Sequence, residues 1–430
     1  MATALRIGMA GLGTVGAGVV KLLADNEDLI TRRAGRPIVV TAVSARDRSR
    51  NRGVDLASLA WVDDATALAA RDDVDVVVEL VGGADGPALT LARRTLERGK
   101  PLVTANKAML AHHGLELAAT AEAAGLPLKY EAAVAGGIPI IKALVEGAAA
   151  NRIARVYGLM NGTCNYILSR MEAEGLDFGP VLADAQALGF AEADPSFDID
   201  GIDTAHKLAI LAALAFGSRI DFAGVACEGI RAISATDIAQ AAALGFRIKL
   251  VGLAEASDGA LFQRVHPALV PLAHPLATTS GPLNAVVIEG DPVGRLFFQG
   301  RGAGEGPTAS AVVADLIDIA RGDVRQPFGM PVADLAALPT AAGADRRGRY
   351  YIRLTVADRP GVLAEITAAL RDAGVSIERL VQPGVSASGD ALVVMVTHDA
   401  SEGQVADALA RMAASPACTA RPVMMHILDF

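Results

Sequence analysis

Residues 5–23 read LRIGMAGLGTVGAGVVKLL. Leu5 to Ala10 is a short apolar run of strand type, and Val15, Val19, Leu22 and Leu23 then recur at helical spacing. Between them Gly11-Leu12-Gly13-Thr14-Val15-Gly16 matches G-x-G-x-x-G. The pattern alone is weak, because glycine turns are common; a strand before it and an amphipathic helix after it give it meaning. In that setting Gly11 permits a tight turn, Gly13 lets backbone approach a pyrophosphate, and Gly16 allows close helix packing. Thr14 and Val15 open the helix, whose unpaired N–H groups and positive potential suit phosphates. A purely structural β–α turn is the bland alternative.

The same alternation continues outward. Ile38 to Val43 is β-branched, Val74 to Val81 is apolar on both faces like a central parallel strand, and Leu102–Thr104 and Leu126–Val134 extend the series. Strands alternating with helices predict an α/β fold, a Rossmann-type doubly wound parallel sheet, over residues 1–134. From about residue 135 to 301 longer helices and irregular strands indicate an α+β substrate and dimerisation domain. The glycine-rich turn RGAGEGPTAS near residue 300 precedes an apolar helix, and residues 331–349 lack periodicity and read as a linker. Residues 350–430 show the order βαββαβ of a ferredoxin-like unit.

The chain has 430 residues, 52% hydrophobic and only 4% aromatic, so Ala, Val, Leu and Ile build its cores. A net charge of −9 offers no overall basic surface, which argues against nucleic acid. Three cysteines, an odd number without a Cys-x-x-Cys, fit a reducing compartment and exclude a disulfide framework. No apolar stretch has bilayer length and no secretory signal is visible, so a cytoplasmic location is expected. The adjacent His112 and His113 would point about 100° apart on a helix, a poor start for a metal site.

Two segments concentrate polar chemistry. Thr104-Ala-Asn-Lys107 ends a predicted strand, where open α/β sheets place ligands. Gly189 to Lys207 carries Glu192, Asp194, Asp198, Asp200 and Asp203, with Asp203 and Lys207 spaced i, i+4. A carboxylate-dense loop running into an apolar helix suits recognition of an amino group. The spacing equally allows an acidic helix start with a solvated salt bridge.

Ala187–Lys207, with its Asp-Pro at 194–195, Gly201, Asp203 and Lys207, resembles the signature of homoserine dehydrogenases. Thr104–Lys107, Glu131–Pro139 and Asn161–Leu168 resemble three further blocks of that family in the same order. The resemblance implies hydride transfer between L-homoserine and L-aspartate 4-semialdehyde with NAD(P). By position, Lys207 becomes the proton donor and acceptor, Lys107 assists beside the nicotinamide, and Glu192 and Asp203, near Gly189, hold the substrate. Glu131, Val134, Gly136 and Ile138 match a site for sodium or potassium, against the alternative of an ordinary glycine turn. Gly306 matches a segment that returns to the nicotinamide side.

Cofactor choice is read after the second strand. Arg46, with Arg48, favours the 2′-phosphate of NADP, while Asp47 keeps NAD open. Residues 350–430 resemble an ACT domain, a regulatory module of amino-acid metabolism, through Asp358-Arg-Pro-Gly361. That resemblance implies a homodimer or homotetramer and threonine as an effector, against a module kept only for assembly. Two rival functions stand beside this reading: a phosphorylating semialdehyde dehydrogenase using a Cys164 thiolate, and a non-catalytic amino-acid sensor.

Overall fold

The computed structural model describes residues 3–385 and 389–429. Strands β1 (Leu5–Ala10), β2 (Ile38–Ser44), β3 (Ala60–Trp61), β4 (Val76–Glu79), β5 (Leu102–Thr104) and β6 (Leu128–Lys129) form a parallel sheet in the order β3-β2-β1-β4-β5-β6. The order reverses between β1 and β4, and ligands of such sheets bind beyond the strand ends at that switch point. All four residues of β4 are buried, as expected of a strand covered on both faces. Helix α1 (Thr14–Asp25) follows β1 directly, and α2 (Lys107–Ala124) follows β5.

The strand expected over Leu126–Val134 is shorter. It ends at Lys129, and Glu131–Ala133 form a 3-10 turn. Glu131 is drawn inward because Ile141 and Lys142 donate their backbone N–H groups to its carboxylate, which an extended chain could not allow.

The second layer is a sheet built from β7 (Arg152–Leu159), β8 (Phe246–Ser257), β9 (Ala260–Pro271), β10 (Leu283–Asp291) and β11 (Gly294–Arg301). Helices α3 (Gly162–Glu174) and α4 (Ile202–Phe216) pack against it, with every residue of α4 from Asp203 to Ala213 buried. Helix α5 (Glu305–Ala320) then returns to the first sheet and packs on α1.

The C-terminal unit consists of β12 (Tyr350–Ala357), α6 (Val362–Asp372), β13 (Ile377–Val385), β14 (Asp390–Thr397), α7 (Glu402–Ala414) and β15 (Val423–Ile427). This is the expected βαββαβ order. Its sheet is continuous with the central one, because β15 pairs in parallel with β9 through Ala268↔His426 and Leu269↔Ile427. Residues 331–349 are not a loose tether. Ala336 exchanges hydrogen bonds with Gly217 and Arg219, Leu261 donates to Pro339 O and accepts from Ala341, and Leu335 is buried. The unpaired edge groups of β9 hold this segment in place.

Candidate active site

The glycine turn sits at the switch point. Gly11 has φ +100°, and a Cβ there would lie 2.5 Å from Leu80 O on the neighbouring strand connection. A Cβ on Gly16 would meet Gly11 O at 2.0 Å, so Gly16 serves the turn itself rather than helix packing. Close helix packing falls to Gly18, where a Cβ would strike Glu305 Cγ at 2.6 Å. Gly13 faces open space and caps α1 without any side-chain hydrogen bond. The first amides of α1, at Thr14 and Val15, therefore have no side-chain oxygen in front of them and suit an anion. Gly306 lies exposed in the first turn of α5, beside the same helix pair.

Arg46 is exposed just past β2. Arg52, which the sequence reading passed over, ties this basic loop to the glycine turn by donating from Nε to Leu12 O at 2.9 Å. Its guanidinium also lies 5.6 Å from the Trp61 ring. The density of arginines from 46 to 52 was the available signal.

The two lysines meet at one carboxylate. Lys207 Nζ donates to Asp203 Oδ2 at 2.7 Å and to Met160 O at 2.6 Å, and Lys107 Nζ lies 3.1 Å from Asp203 Oδ1. Asn161 Nδ2 donates to both Asp203 Oδ2 and Asp198 Oδ1 at 2.8 Å. Burial pushes the Lys207 amine down, Asp203 opposes that push, and Lys107 adds to it. Burial alone would raise the Asp203 carboxyl, but the two ammonium groups and the Asn161 amide hold it well below the usual carboxylate range. The bland sequence alternative, a solvated salt bridge, fails because Asp203 and Lys207 are both buried. Asn161 was not singled out beforehand; its contact with Asp203 spans two separate elements.

Lys107 is the first residue of α2, and Asn106 caps that helix by accepting from Met109 N. The Lys107 ammonium also lies 5.5 Å from the Phe197 ring. Gly189 and Glu192 lie exposed on the loop before Asp194, which Thr163 tethers by donating to Phe190 O at 3.1 Å. That bond brings the loop beside Asn161, although Glu192 itself is not in contact with the lysines.

Cys164 is buried, and its thiol donates to Asp198 O at 3.2 Å. Burial pushes that thiol well above its ordinary range, so it stays protonated and unsuited to thioester chemistry. His206 packs on Phe222, and burial lowers it to about 4. Among the described residues no cluster of His, Cys, Asp and Glu suits a metal ion.

Glu131 accepts Ile141 N and Lys142 N at 2.9 Å each, and its own N–H donates to Asp315 Oδ2 at 2.9 Å. Burial raises Glu131 to about 7 and Asp315 to about 6. The chain then turns through Ala135 and Gly136 with φ +52° and +30°, packed so that a Cβ on Gly136 would lie 2.6 Å from Gly302 O. In the C-terminal unit, Gly361 caps α6 at φ +94°, and with Asp358 it lines a cavity of about 590 Å³.

Three family models match consecutive parts of the chain. They describe a homoserine dehydrogenase NAD-binding domain over residues 11–131, homoserine dehydrogenase over 139–317, and an ACT domain over 350–416. A homoserine dehydrogenase of Neisseria gonorrhoeae is 45% identical, with 98% of each chain covered. The chain belongs to the homoserine dehydrogenase family. The Synechocystis homoserine dehydrogenase is 44% identical over 99% of this chain and all of the relative. The crystal structure of a homoserine dehydrogenase from Thiobacillus denitrificans superimposes with a TM-score of 0.93 at 42% identity, covering 99% of this chain and 98% of that one. The protein is thus an oxidoreductase with homoserine dehydrogenase activity, a nicotinamide cofactor and an ACT module that points to allosteric control. The thioester enzyme and the non-catalytic sensor are not favoured. No described helix is long and apolar enough to cross a membrane.

Proposed function

We propose that Lys207 is the proton donor and acceptor at the oxygen exchanged between L-homoserine and L-aspartate 4-semialdehyde, with Lys107 assisting. The carrying observation is the single carboxylate, Asp203, that holds both amines, Lys207 buried and Lys107 partly exposed. A nicotinamide cofactor held at the glycine turn would supply hydride to the aldehyde carbon, or take it from the alcohol. In the direction of reduction negative charge grows on the substrate oxygen, where the Lys207 ammonium stabilises it and then releases a proton to it. Burial loosens Lys207's hold on that proton, making it a stronger acid than a solvated lysine. In the reverse direction the neutral amine accepts the hydroxyl proton. Met160 O keeps Nζ aimed in either case.

Glu192 and Asp203 hold the substrate, chiefly its ammonium group, with Gly189 giving the loop its turn at φ +76°. The cofactor rests on Gly11, Gly13, Thr14, Val15, Gly16 and Gly306, and NADP is preferred because exposed Arg46 can pair with a 2′-phosphate. The open space at Gly13 and the uncapped start of α1 support this seat. A sodium or potassium ion is held at Glu131, Val134, Gly136 and Ile138. Support comes from the buried Glu131 side chain and the left-handed turn that Ala135 and Gly136 form shortly after it in the chain.

Threonine binds the ACT module near Asp358 and Gly361, where the cavity and the free start of α6 suit an amino-acid carboxylate. The chain works as a homodimer or homotetramer in the cytoplasm. The outer strand β13, with exposed Leu380 and Val381, supports side-by-side pairing of ACT modules. Steady-state rates with L-homoserine, comparing NADP with NAD in the presence and absence of threonine, test these assignments together; loss of Lys207 must abolish most turnover.

A further inference from the structure

We propose that Glu79 is a positioning residue that locks the cofactor turn and the Lys107 helix into one unit. It rests on the reading that Lys107 works beside the nicotinamide. Glu79 is the last residue of β4, pairs in register with Ala10 immediately before the glycine turn, and pairs with Thr104 on its other side. It is fully buried, and among the described residues no lysine, arginine or histidine forms an ion pair with it. A buried carboxylate is costly unless its oxygens are satisfied, and here each oxygen serves a different half of the site.

Oε1 accepts Val81 N at 2.7 Å and Gly82 N at 3.1 Å, which curls the exposed Val81–Gly83 loop back over the strand end. Oε2 accepts the Thr104 hydroxyl at 2.7 Å. That hydroxyl in turn accepts Asn106 N at 3.0 Å. Asn106 closes the ring: Nδ2 donates to Gly83 O at 2.7 Å, while Oδ1 caps α2 through Met109 N. Leu80, between Glu79 and the loop, donates to Ala10 O, and its own carbonyl is the atom that crowds Gly11. One carboxylate therefore sets the loop abutting the glycine turn and, through one hydroxyl, the residue before Lys107. A glutamine at this position presents an N–H group to Thr104, so the hydroxyl must turn from donor to acceptor and the charge-assisted link between them is lost.

The test is a fluorescence titration of NADPH without substrate, run beside steady-state kinetics and thermal unfolding. In Glu79→Gln the NADPH Kd should rise and kcat should fall, each by about tenfold, with KM for homoserine changing less than about twofold. Thr104→Val should show the same pattern, and Thr104→Ser should recover most of the loss. A purely stabilising role would lower Tm while leaving Kd and kcat of the folded variants at parental values, and that result overturns the proposal. If Glu79→Gln does not fold, the Thr104 pair decides the matter. Lys107→Ala separates the two ideas: parental kcat there removes the assigned role of Lys107, whereas the NADPH titration still judges the clamp.

Discussion

Lys207 Nζ donates to Asp203 Oδ2 at 2.7 Å across one turn of α4, deep enough that both residues are buried. The other oxygen of that carboxylate faces Lys107 at 3.1 Å. Asp203 is therefore the hinge of the site's electrostatics, because any change in it alters two amines at once.

Replacing Lys207 with alanine should lower kcat by about 10²-fold or more while KM for homoserine changes only a few fold, the signature of a group acting in the transition state. Steady-state kinetics followed by cofactor absorbance reads this directly. Near-parental turnover would falsify the acid/base assignment.

Asp203→Asn should move the pH–rate profile. Burial lowers the Lys207 amine and Asp203 partly restores it, so removing the negative charge drops the amine further. Aldehyde reduction needs the ammonium form, and its alkaline limb should shift to lower pH. A profile that stays in place, or moves to higher pH, contradicts this electrostatic order.

Arg46→Ala should raise KM for NADP by about tenfold and leave KM for NAD within about twofold, as expected for loss of a charge-assisted bond to a 2′-phosphate. Arg52→Ala should weaken both cofactors alike, since its contact is with Leu12 O of the glycine turn. Equal losses with both cofactors in the Arg46 variant would remove Arg46 from cofactor selection.

Exchange of sodium and potassium for a bulky organic cation should depress activity of the parent, with recovery on adding either ion back. Glu131→Gln should blunt that response, because it removes the negative charge beside the turn at Ala135. Identical cation curves for parent and variant would take Glu131 out of the site.

Cys164→Ser should keep most activity. The hydroxyl can donate to Asp198 O as the thiol does, and no nucleophile is lost. Loss of turnover with parental unfolding temperature would revive the thioester route.

The parts of the site legible beforehand were those governed by neighbours in the chain. Gly11 announces itself because its φ of +100° is open to few other residues, and Asp203 with Lys207 because four residues bring side chains to one helix face. Gly18 shows the limit: nothing near it in the chain announces that its missing Cβ makes room for Glu305, far along the sequence. Asn161, Asp315 and Arg52 were illegible for the same reason, since each acts on a residue of another element. The segment 331–349 misled because aperiodic composition resembles a tether, although its backbone finds partners on β9 and beside Gly217.

The chain's own order of residues determined the doubly wound sheet and the ferredoxin-like C-terminal unit, because periodicity and glycine conformation are local properties; Lys107 and Lys207 stood out as catalytic only through the resemblance to homoserine dehydrogenases. Only the tertiary structure decided that Lys107 and Lys207 share Asp203, that Glu131 is buried against Asp315, and that β15 joins the regulatory unit to the central sheet. Those contacts lie between segments distant in sequence, and their energies depend on burial and on which charges face one another, quantities that arise only once the chain has packed.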